Sequence, residues 1–219
     1  MNIFLKKIAA VFVFICVVLA GQAVCRVEAA GESHVVDEDF GYKGVLLGGS
    51  EEDMLKIMGE ADYDRKDNIF GTPVKRYEYG DIAISVAPAS KRVVDIELKG
   101  KDFQVRGGIR YGSTAFWINS VYGKQEKQQI DGYTCYIYAR PGHKHEHLLL
   151  RTDSEKGILI SMRITALPLT DEEADQMVID GSDIELGLVT EEELSADTKI
   201  DLSALPQSEE PKLVLGEAQ

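Results

Sequence analysis

Apolar residues recur along the chain at two periods. Met54, Ile57 and Met58 stand at i, i+3 and i+4, the spacing of one face of a short helix. Ile118, Val121 and Tyr122 repeat that triplet 64 residues later. Three glycines keep the same offset, pairing Gly44 with Gly108, Gly48 with Gly112, and Gly59 with Gly123. Ser50 followed by Asp53 is a capping-box pattern, so a helix starts there. Gly59 and Gly123 fit the left-handed residue that ends a helix. The spacing predicts two Gly-flanked helices of about nine residues.

Period-2 alternation follows each helix and predicts strands. In the first half they fall at 74–79, 82–86 and 94–98, the first two joined by a tight turn at Gly80-Asp81. In the second half they fall at 133–138, 148–152 and 158–165. Each unit is thus expected to be a helix and a three-stranded antiparallel meander, with one face packed on the helix. A unit of about 60 residues is marginal alone, so the two are expected to pack as one α+β domain. The expected boundaries are 42–103 and 104–166, after a linker at 30–41.

The Gly-x-x-x-Gly-x10-Gly helix unit, duplicated and followed by antiparallel strands, resembles the β-lactamase-inhibitor-protein-like fold. The small lipoprotein of the outer-membrane β-barrel assembly machine shares that fold. The resemblance covers about residues 42–166. It implies an envelope or secreted protein that binds other proteins and does no chemistry. This chain departs from the inhibitors in lacking their disulfides, and from the lipoprotein in having two units and a poor lipobox. No binding residue is carried over.

Both ends differ from the middle. Lys6 and Lys7 precede a run from Ile8 to Ala20 without a charged or polar side chain. About 13 apolar residues fall short of the roughly 20 that span a bilayer. With the small residues around Val27-Glu28-Ala29, they read as a secretory signal over 1–29. The protein is therefore expected outside the cytoplasm. Membrane contact would follow only from an uncleaved signal or a lipidated Cys25. Removal of the signal leaves Cys135 as the last cysteine, so no intrachain disulfide is expected.

The net charge of −13 changes the picture of the C-terminus alone. Residues 167–219 hold 15 acidic residues and two lysines, whereas the rest of the chain balances. That excludes a basic nucleic-acid protein. It predicts a largely disordered acidic tail with short helices at 171–179 and 191–196, the first opened by the capping box Thr170-Asp-Glu-Glu173.

Three features carry candidate chemistry. Tyr77 and Tyr79 align with Tyr136 and Tyr138. They read either as an exposed partner-binding face or as rings packed under the helices. Trp117 aligns with Asp53, off the shared apolar face, and reads either as a core filler or as an exposed anchor. His143, His145 and His147 alternate in a hairpin seven residues longer than its counterpart. If extended, they face one way, and zinc or copper would suit them given a bulge or a further ligand; otherwise they read as a solvated loop where His and Lys cluster, turned by Pro141-Gly142. No Gly-x-Ser-x-Gly, phosphate loop or His-Glu-x-x-His is present. The chain reads as a non-catalytic, exported module for an unidentified protein partner, with no resident cofactor. The alternative is a metal-binding protein or metal-dependent enzyme using the His loop.

Overall fold

The computed structural model describes residues 33–69, 71–130 and 132–188. The expected signal and the helix expected at 191–196 lie outside these residues. An arm opens the described chain, with a 3-10 turn at Asp37–Phe40 and a small hairpin of β1 (Gly41–Tyr42) and β2 (Val45–Leu46). Helix α1 (Glu51–Met58) follows, then β3 (Tyr63–Ile69), β4 (Thr72–Tyr79), β5 (Ile82–Val86) and β6 (Val93–Leu98). The same order returns after a 3-10 turn at Arg106–Gly108. Helix α2 (Ala115–Tyr122) precedes β7 (Lys127–Ile130), β8 (Tyr133–Ala139), β9 (His147–Thr152) and β10 (Leu159–Thr165). Helices α3 (Asp171–Asp180) and α4 (Ser182–Leu186) end the described chain.

The fold is α+β, built on one antiparallel sheet of eight strands in the order β3-β4-β5-β6-β10-β9-β8-β7. The last strands of the two meanders meet at the centre, with Ile96 opposite Ile164 and Glu97 opposite Arg163. Each meander has four strands, where three were expected. The additional strands β3 and β7 are the sheet edges. Five of the seven residues of β3, Asp64 to Asn68, are polar or charged on both faces, so no alternation marks it. Charges along an exposed edge also discourage pairing with another chain.

Both helices lie on one face of the sheet. Met54, Ile118 and Tyr122 pack with Ile84, Ile96, Leu148, Leu150 and Ile164 in the principal core. Full burial of each such side chain contributes about 1.5–3 kcal/mol. Ser50 and Thr114 cap the helices by accepting from the amides of Asp53 (3.1 Å) and Trp117 (3.4 Å). Gly59 and Gly123 end them at φ 79° and 89°, with extended ψ rather than the left-handed values expected. That region is essentially closed to residues with a Cβ.

The opposite face carries charge at its centre. Arg163 pairs with Asp95 at 2.5 Å, Arg151 with Glu97 at 2.9 Å, and Arg76 with Glu78 at 2.9 Å. Alternation places these residues outward on strands whose other faces are apolar. Two apolar clusters lie on this face as well. One contains Val74, Ala87, Val94, Leu167, Met177 and Leu188, the other Ile130, Cys135, Leu149 and Leu169.

The stretch 167–188, expected to belong to a disordered tail, is therefore packed against the sheet. Leu167, Leu169, Met177 and Leu188 are buried, and burial of these four offsets the cost of ordering the segment. The described residues form three layers: α1 and α2, the sheet, and this C-terminal strap.

Candidate functional site

The four aligned tyrosines lie under the helices, which removes them as an exposed partner face. Tyr77, Tyr136 and Tyr138 are buried, and Tyr79 is half-buried against the same core. Three of their hydroxyls, those of Tyr77, Tyr79 and Tyr138, are used internally. Tyr138 donates to the Gly123 carbonyl at 2.9 Å, and Tyr79 to the Gly59 carbonyl at 3.3 Å. Aligned tyrosines thus satisfy aligned helix-ending carbonyls, groups that a helix leaves without internal partners. The Tyr77 hydroxyl donates to Glu51. Burial pushes the Tyr138 phenol well above its usual range.

The three histidines do not meet at one point. His143 turns to Glu146 (Nδ1 to Oε1, 3.2 Å), in a loop closed by the Arg140 amide donating to the Glu146 carbonyl. His145 Nδ1 and His147 Nε2 lie 3.2 and 3.1 Å from a single oxygen, Oε1 of Glu173 on α3. Among the described residues no group of three or more His, Cys, Asp or Glu is arranged to hold a metal ion. The hairpin turns at Pro141-Gly142, so the straight strand that would align three imidazoles begins only at His147.

Glu173 is instead the centre of a docking contact. Its second oxygen accepts from the Leu169 amide at 2.8 Å. Burial opposes its ionisation, but the bonds from His147, Leu169 and His145 prevail and hold its carboxyl down to about 2. Lys144 binds Asp180 at the other end of α3 and lowers that carboxyl as well.

Trp117 lies on the outer surface of α2. Helical spacing turns Ala115, Ile118 and Tyr122 toward the sheet and leaves Phe116, Trp117 and Ser120 outside. Phe116 is 80% exposed and Trp117 45%. The indole donates to the Gly107 carbonyl at 3.0 Å, which fixes one edge of the ring. Gly107 has φ 67°, and a Cβ there would come within 2.6 Å of Val121. The loop can therefore approach α2 only through glycine. Beside the ring opens a groove of about 450 Å³, walled by Trp117, Tyr111, Arg110 and Ser113. On α1 the positions equivalent to Phe116 and Trp117 are Glu52 and Asp53.

The outward Phe116 escapes the sequence reading, although its place off the apolar triplet was a usable signal. Glu173 is visible only as a capping residue, because its imidazole partners are 26 and 28 positions away.

No family model and no curated protein matches the sequence. Among solved structures, an extracellular SCP-domain protein from Bacillus anthracis aligns at 14% identity and TM-score 0.42, over 60% of this chain and 52% of that one. A cysteine-rich secretory protein from Staphylococcus aureus aligns at 14% and 0.36, over 57% and 45%. A DUF4309 family protein from Bacillus subtilis aligns at 12% and 0.41, over 57% and 84%. The chain spans about half the length of the first two. Among the described residues no helix is long and apolar enough to cross a membrane.

Proposed function

We propose that this is an exported, non-catalytic protein-binding module, an envelope accessory or inhibitor-like protein. It is built from two copies of one helix–meander unit, and the second copy carries the partner site. The export reading rests on the basic start and short apolar run of residues 1–29. The two-copy reading is supported by helices 64 residues apart and by the repeated tyrosine-to-glycine bond that ends each.

The observation that carries the binding reading is the outward aromatic pair Phe116–Trp117 beside an open groove. Aromatic residues with a polar edge are enriched where proteins meet, and a few such anchors supply most of the binding energy. Keeping Phe116 in water forgoes about 1.5–3 kcal/mol, a cost that burial by a partner recovers.

The test is capture from envelope extract with the mature chain and its Phe116→Ser/Trp117→Ser variant. The reading expects a partner retained by the native chain and lost by the variant at unchanged circular dichroism. Retention of the same partner by a folded variant would remove this surface.

A further inference from the structure

The strap sits on the outer face of the sheet through side chains that make a short code. Glu173, Met177 and Asp180 stand at i, i+4 and i+7 on α3, one face of a helix. Each has its own receptor. Glu173 is held by His145, in the loop before β9, and by His147, the first residue of β9. Met177 enters the apolar cluster of Val74, Ala87, Val94 and Leu167. Asp180 meets Lys144, with His145 Nε2 at 3.6 Å. The receptor groups come from both halves of the sheet, the histidines and Lys144 from the second and most of the apolar pocket from the first.

Backbone ties are few. The Ala166 amide donates to the Val94 carbonyl at 2.8 Å, and beyond it Ser90 Oγ donates to the Leu186 carbonyl at 2.8 Å. A segment held by side chains opens more readily than a strand held by a ladder of backbone bonds.

We propose that this face is a docking site for an acidic amphipathic helix with carboxylate, apolar and carboxylate side chains at i, i+4 and i+7. In this chain the strap is its intramolecular occupant, and a partner helix with the same three side chains takes its place. The receptor complements the strap, because Lys144 offers an ammonium to Asp180 and two imidazole nitrogens lie within hydrogen-bond reach of Glu173. This surface is distinct from the Phe116–Trp117 groove and stands or falls independently of it.

The probe is a fluorescent synthetic peptide with the sequence of residues 169–187. Its binding is read by anisotropy on the full mature chain and on the Glu173→Gln variant. Amide exchange of α3, with β9 and β10 as internal controls, reports whether the strap has opened. Glu173→Gln is expected to speed exchange in α3 alone and to tighten peptide binding about tenfold. That is the factor supplied by loss of one charge-assisted bond on the competing strap. A peptide with Met177→Ser and Asp180→Asn is expected not to bind. The proposal is overturned if α3 stays closed in the variant. It is equally overturned if α3 opens without any gain in peptide binding, or if both peptides bind alike.

Discussion

The fate of the tyrosines turns on what a hydroxyl can reach. Each pair faces the helices, where burial stabilises the rings and a carbonyl at the end of a helix needs a donor. Tyr138 meets that need at 2.9 Å inside the core, and Tyr79 at 3.3 Å nearer the surface. Tyr138→Phe is therefore expected to cost about 1 kcal/mol in urea unfolding, the net worth of a buried hydrogen bond. Tyr79→Phe should cost less, because water replaces its donor. Equal losses, or none, would mean that the hydroxyls do not secure the helix ends. The alignment of the tyrosines was legible in the sequence, but their direction was not. Alternation tells which residues share a face, not which face the helices cover.

At the level of elements, the strap depends on ionised Glu173. Its carboxyl is held at about 2 instead of the usual 4.5. A carboxylate with a depressed value contributes stability that is fully present above the ordinary value and lost as the pH falls through the depressed one. Asp180 is lowered in the same direction by Lys144. Amide exchange in α3, corrected for the intrinsic rate, should therefore accelerate between pH 4.5 and pH 2 before the central strands respond. In Glu173→Gln that step should be smaller. A strap that opens only together with β6 and β10 would contradict the assignment.

Helices α1, α2 and α3 and six of the eight sheet strands were legible because they carry amphipathic patterns or caps. The edge strands β3 and β7 and the docking of α3 were not. Edge strand β3 has no buried residue and β7 only Ile130, too little to impose a pattern. The contacts of α3 join residues far apart in sequence, which no local spacing records.

At the scale of the whole molecule, the described residues are built around one eight-stranded sheet shared by two halves. Register between β6 and β10 sets Leu98 opposite Met162 and Ile96 opposite Ile164, so neither half has a core of its own. The described domain should unfold in urea in a single transition, with tryptophan fluorescence from α2 and far-ultraviolet dichroism coinciding. Two separated transitions would mean that the halves are independent domains. Part of the acidic excess belongs to this body, because Glu173 and Asp180 of the strap meet His145, His147 and Lys144. The sheet's buried charges pair with one another, and the aromatic surface lies on α2.

The binding role of α2 is the central claim, and photocrosslinking tests it most directly. A photoreactive phenylalanine analogue placed at position 116 of the chain should yield a light-dependent adduct with one protein. The same analogue at Lys66, on edge strand β3, should not. Absence of an adduct at 116, or the same adduct from both positions, would contradict the account.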